Sequence, residues 1–216
     1  MTFYTSLVEH TSQARDDFAR LPAIQHALSG NITLEQYQTF LSNAYQHVKH
    51  TVPLLMACGA QLKPHQTWLQ KPIAHYIEEE IGHERWILKD LETCNGDPEA
   101  MLKGEPDLEV DILVSYAYDV IHRKNPVGFF GMVFVLEGIS AAMASDAAAA
   151  IARSLSLPKQ AFTYLDSHGH LDQSHIAFFG DLMNRVTDVS DQRDILHCAK
   201  RFYRLYGQVL TASWEK

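Results

Sequence analysis

The chain has 216 residues, enough to bury a substantial core, and no shift in composition divides it, so one domain over 1–216 is expected. Its make-up, 46% hydrophobic and 20% charged, is that of an ordinary soluble globule. A formal net charge of −8 without any basic cluster excludes a general binder of nucleic acid or of anionic membrane, both of which need a basic face.

The first ten residues carry no charged segment followed by an apolar core, so no signal peptide is expected. Residues 2 to 29 read as helix, broken near Leu21-Pro22 and closed at Gly30. Thr33 is an N-cap with Gln36 completing a capping box, and the helix it opens runs to about Leu62 with a kink expected at Pro53. Tyr37, Phe40, Leu41, Tyr45, Val48, Val52 and Leu55 recur on it at spacings of three and four, the mark of an amphipathic helix. A third helix covers roughly His65 to Cys94, re-entering after Pro72 and ending at Asn95-Gly96. A helical turn near Pro98 to Lys103 and a helix from Leu108 to Arg123 follow. Asn125-Pro126 reads as an N-cap and a first-turn proline opening a long helix to Ser154. Its apolar run is interrupted by Glu137 and Asp146 and is rich in Gly, Ala and Ser, which fits a core helix better than a membrane span. Pro158 to Asn184 and Ser190 to Trp214 are the last two helices.

No stretch alternates with the period of two that a half-buried strand needs, so the expected architecture is an all-α bundle of about seven helices. Three cysteines, Cys58, Cys94 and Cys198, show no CxxC spacing, and a reducing cytoplasm is the expected compartment.

Three of these helices carry groups that an apolar core does not need. In His168-Gly-His-Leu-Asp172-Gln-Ser-His175, a turn of ~100° per residue leaves Asp172 ~40° and His175 ~20° from the direction of His168. Such a stripe is either a solvated polar face or half of a metal site. In Glu78-Glu79-Glu80-Ile-Gly-His83, the same rule puts Glu79 ~40° and Glu80 ~60° from His83. Glu137 stands alone in Phe134-Val-Leu-Glu-Gly-Ile-Ser, where a buried carboxylate needs a cation, a donor or a raised pKa; Arg123 and Arg153 are the structural alternatives to a metal. Together the helices offer Glu80 or Glu79, His83, Glu137, His168, Asp172 and His175. Such a mixed oxygen and nitrogen set suits two iron ions, with manganese as the alternative metal, while the lack of nearby cysteine argues against structural zinc or an iron–sulfur cluster.

The segments His26 to Leu41, Glu79-Glu80-Ile-Gly-His83, Phe134 to Ser140 and His168 to His175 resemble, in this order, the haem-oxygenase-like superfamily. That superfamily includes TenA, the quinone-cofactor synthase PqqC and the iron-containing redox enzymes, or haem-oxygenase-like di-iron oxidases, and the last three segments are similar to the metal ligands of the di-iron branch. The resemblance implies a haem-oxygenase-like fold, a non-haem di-iron oxidase acting on dioxygen and a small organic molecule, and a homodimer. It carries the ligand roles to Glu80, His83, Glu137, His168, Asp172 and His175, with Glu79 in reserve and Glu137 and Asp172 as catalytic residues.

Phe129, Phe130, Phe134, Phe178 and Phe179 are candidates for an apolar substrate chamber or for ordinary core. The rival enzyme classes are a TenA-like aminopyrimidine hydrolase, which needs an activated cysteine, and a PqqC-like cofactor-free oxidase. Haem ligation by His10 is a third, and a metal-binding or interaction protein is the rival outside catalysis.

Overall fold

The computed structural model describes residues 1–214, with the side chains at 170, 173 and 174 outside the description. The expected long segments are all helical, and most are subdivided where capping or proline chemistry demands it. Residues 2–29 form α1 (Phe3–His10), α2 (Ser12–Ala19) and α3 (Pro22–Ser29). The first division was not expected. It falls at buried Thr11, whose hydroxyl donates back to the Leu7 carbonyl at 2.7 Å, a side-chain bond that competes with the helical ladder. Gly30 ends α3 with φ of 71°.

The capping box at Thr33 is present in both directions and opens α4 (Leu34–Val48). The break before α5 (Thr51–Gln61) lies at Lys49-His50 rather than at Pro53. Starting a new helix at Thr51 puts Pro53 in its first turn, where a missing N–H costs no hydrogen bond. Pro72 takes the same place in α6 (Gln70–Glu80), which follows a 3-10 segment over Pro64–Leu69.

The expected continuous helix from 65 to 94 is overturned at one point. Between α6 and α7 (Glu84–Thr93), Ile81 is extended and Gly82 has φ of 94°, a conformation open to glycine and costly for other residues. Asn95, at φ of 59°, and Gly96, whose N–H donates to the Leu91 carbonyl at 2.9 Å, close α7 as expected.

Next come α8 (Pro98–Lys103), α9 (Leu108–Arg123), α10 (Phe130–Leu155), α11 (Thr163–Asn184) and α12 (Val189–Trp214). Asn125 does not cap by its side chain. Its amide donates to Asp191 at 2.9 Å and Asp194 at 3.0 Å, tying the start of this segment to α12. Among the described residues no strand occurs.

α10 is the axis of the bundle and packs on α3, α11 and α12. By length and composition the stretch Pro126–Leu155 would pass for a membrane span, yet half of its most apolar window is buried inside the fold. Two glycines set its spacing. A Cβ on Gly131 would meet the backbone of Ala199 at 2.6 Å, and one on Gly169 of α11 would collide with the Ser145 hydroxyl of α10. Small residues therefore bring the carriers of Glu137 and His168 close together.

Asp90, fully buried on α7, holds the start of α11 by accepting from Thr163 N at 3.0 Å and Tyr164 N at 2.7 Å. Asp90→Ala orphans both donors, with an expected cost of about 2–4 kcal/mol. Thermal denaturation should show the midpoint falling by roughly 5–15 °C, and Asp90→Asn, which keeps one acceptor oxygen, should recover part of the loss.

Candidate metal centre

Three helices, α6, α10 and α11, and the α6/α7 break bring the expected residues to one interior point. Glu80, the last residue of α6, and His83, just before α7, lie across the break with His83 Nδ1 3.1 Å from Glu80 Oε2. The angular relation expected on an unbroken helix does not hold, because the turn at Ile81-Gly82 now sets the approach. His168 of α11 meets them from the other side, its Nε2 3.3 Å from His83 Nδ1. One donor atom from each of Glu80, His83 and His168 falls within 4.8 Å of the others.

A second grouping surrounds His175. Its Nδ1 is 3.1 Å from Asp172 Oδ1 and 3.9 Å from Glu137 Oε1, and its Nε2 is 3.3 Å from Glu79 Oε2. The choice between Glu79 and Glu80 therefore gives way to a division of labour, each facing a different imidazole. His83, Glu137, Asp172 and His175 are buried, with 5–8% of their surface exposed. Neither arginine offered as a structural partner reaches Glu137: Arg123 pairs with Asp119 at 3.0 Å, and Arg153 is exposed.

The chemistry of the cluster fits a cation. Glu137 leaves one buried carboxylate oxygen, Oε2, without a hydrogen-bond partner, an arrangement that native interiors rarely tolerate, and Glu79 Oε2 has imidazole nitrogens near it, His175 Nε2 at 3.3 Å and His75 Nε2 at 3.5 Å. Glu78, Glu79 and Glu80 crowd the last turn of α6, which holds no basic residue, at the end where the helix dipole disfavours negative charge. Burial, then the neighbouring Asp172 and Glu80, push the Glu137 carboxyl well above the usual carboxylate range. Burial also pushes Glu80 up, but His83, His168 and His175 outweigh it and hold it below its ordinary value. Burial depresses His168, whereas the hydrogen bond to Asp172 raises His175.

Both shifts favour the protonated forms of Glu137 and His175, and a bound cation competes with those protons. Metal affinity is expected to rise with pH, and titration calorimetry in two buffers of different ionisation enthalpy should register proton release on binding.

Two contributors escaped sequence reading. Tyr76, buried on α6, points its hydroxyl toward Glu137 without forming a well-shaped hydrogen bond and packs edge-on against His175 with centroids 6.2 Å apart. Its spacing of three and four from Glu79 and Glu80 was the available signal. Trp86 of α7 stacks on His83 at 4.0 Å and walls off that imidazole.

A cavity of about 170 Å³ adjoins the cluster, with Tyr76, Glu80, Glu137, His168 and Asp172 in its wall and apolar residues such as Leu54, Met132 and Leu210 around the rest. Of the five candidate phenylalanines only Phe129 lines it. Phe130, Phe134 and Phe179 pack together in the core, and Phe178 stands against Tyr76. No cysteine is in the lining. All three thiols are buried, and burial raises Cys58 to about 12 and Cys94 to about 11, the opposite of an activated nucleophile. His10 is exposed and bonds to the Ser6 carbonyl at 2.8 Å, away from the cavity.

Among solved structures, a domain of unknown function with a heme oxygenase-like fold from Shewanella denitrificans OS217 superposes with a TM-score of 0.89 at 22% identity, over 98% of this chain and 91% of that one. A TenA homologue from Pseudomonas syringae pv. tomato DC3000 gives 0.80 at 11%, over 98% and 92%. Heme oxygenase-1 from Synechocystis sp. PCC6803, in complex with heme, gives 0.71 at 14%, again over 98% and 92%. At these identities the likeness shows a shared haem-oxygenase-like fold. A search of curated proteins finds no significant match. A family model described as iron-containing redox enzyme matches residues 38–207, most of the chain and all of the cluster. This chain belongs to the iron-containing redox enzyme family.

Proposed function

We propose that the chain is a non-haem di-iron oxidase that uses dioxygen to oxidise a small organic molecule held in the apolar cavity. The observation that carries this reading is the two-part cluster, in which three imidazoles and four carboxylates converge and the buried Glu137 Oε2 is left without a hydrogen-bond partner. Under it, Glu80, His83 and His168 hold one ion, and Glu79, Asp172 and His175 hold the other. Glu137, in reach of His175 and in the cavity wall, serves the pair. Bound iron would supply the reduction of dioxygen, chemistry that these side chains lack on their own.

The chain's own part is placement and proton control. Glu137 and Asp172 belong to both cluster and cavity wall, so a molecule in the cavity is held against them, and these two are the catalytic residues of the proposal. Burial favours the protonated form of Glu137, a proton that bound cations would displace, and the Tyr76 hydroxyl keeps a proton beside it, burial raising that phenol far above its ordinary range. Leu54, Met132 and Leu210 make the rest of the wall apolar.

Anaerobic reconstitution with ferrous iron, metal analysis and oxygen-electrode measurements test the reading. Two irons per chain and oxygen uptake beyond that of iron oxidation alone are expected. Iron bound without such uptake, for any apolar candidate molecule, would favour a metal-binding scaffold.

A further inference from the structure

The cavity wall outside the metal cluster is uncharged. Among the described lining residues there is no lysine or arginine, and every carboxylate, Glu80, Glu137 and Asp172, belongs to the cluster. Burying an unpaired charge is costly, so a charged substrate group away from the metals would be stranded. The volume, about 170 Å³, is comparable to the roughly 150 Å³ apolar cavity that admits benzene.

Apart from the carboxylates, three buried polar atoms of wall residues lack protein partners, Tyr76 Oη, Ser140 Oγ and Trp214 Nε1. The same wall carries, edge-on to Tyr206 at 5.7 Å and 4% exposed, the imidazole of His47 on α4. Burial lowers its pKa to about 4, so the neutral ring offers one donor and one acceptor. Buried polar groups are nearly always satisfied, and these lie in the wall of one cavity.

We propose that the cavity binds an uncharged, largely apolar molecule of single-ring size whose polar group is hydrogen-bonded by His47, with Trp214 and Ser140 as further partners. The inference rests on the cavity being the substrate chamber and names the substrate class: phenol-like or ketone-like neutral molecules, not amino acids or polyanions.

The test uses metal-free protein, so its outcome is separate from that of the iron experiments. Titration calorimetry with p-cresol, toluene, benzoate and benzylamine should rank p-cresol first, by about tenfold over toluene, the scale of one or two well-made buried hydrogen bonds. Benzoate and benzylamine should bind at least about tenfold more weakly than p-cresol. His47→Phe keeps a ring and removes both nitrogens; Trp214→Phe keeps the stack on Phe40, at 6.2 Å in the parent, and removes the donor. Loss of the preference for p-cresol over toluene in either variant that circular dichroism shows folded supports the assignment. A charged probe binding as tightly as p-cresol, no binding of either neutral probe, or an unchanged preference in both variants would overturn it.

Discussion

Glu137→Ala, purified as a folded protein, is expected to lose oxygen uptake altogether and to hold at most one iron per chain. Glu137 lies about two turns into α10, in an apolar run, and its Oε2 has no hydrogen-bond donor. In the absence of a cation its burial is a cost the fold bears alone. Removing the side chain relieves that cost, so circular dichroism should show the variant at least as well folded as the metal-free parent. Glu137→Gln keeps the shape and loses the charge that neutralises a metal pair, and it too should fail in iron stoichiometry and oxygen uptake. A structural carboxylate would behave in the opposite way, with both variants unstable and metal uptake no more affected than stability. A folded Glu137→Ala that binds two irons and reacts like the parent would falsify its assignment.

The second large effect concerns stability. Under the di-iron proposal, cations at the cluster would relieve the repulsion among Glu79, Glu80, Glu137 and Asp172, and would bind the folded chain far better than the unfolded one. Ligand held at a hundred times its dissociation constant contributes about 2.7 kcal/mol. For a chain of this size that raises the melting temperature by roughly 5–10 °C. Scanning calorimetry with anaerobic ferrous iron should show the rise, and a chelator should reverse it. His83→Ala, which removes one of the donors grouped with Glu80 and His168, should cut the rise by at least about half; an equal rise in that variant would place the iron elsewhere.

Much of this was legible before any coordinates. Helical periodicity, the Thr33 capping box and the glycine stop at 30 locate elements because each is a local rule whose residues sit next to one another in the chain. The cluster was legible for a different reason: ionisable groups on otherwise apolar helices are expensive, and Glu137 and Asp172 stood out on that ground. The break at Gly82 was not read, since one glycine within a helical pattern is common and its φ is decided by what His83 and Glu80 must reach. Glu79 and Glu80 looked like competitors for one place because both come near His83 on a straight helix; the break sets His83 against Glu80 and leaves Glu79 to His175. His47 and Tyr76 were passed over because, on stripes of apolar residues, a ring with a polar atom has the periodicity of core. Only the cavity separates them from it.

Gly169 stands next to His168, on the side of α11 that meets Ser145 of α10. With hydrogen in place of a side chain, the distance between the helix bearing Glu137 and the helix bearing His168 and Asp172 is set by contact rather than by solvent or by flexible groups. Under the di-iron proposal, that contact would act as a gauge for ionic radius. Divalent ions of the first transition row differ in size by small fractions of an ångström, and a site whose donors are held at a fixed separation discriminates among them where a pliant one follows their intrinsic order of affinity. Gly169→Ala wedges the gauge open by pressing a methyl group against Ser145. In competition experiments the variant should exchange preference for iron toward the larger manganese ion, while its helical content stays that of the parent.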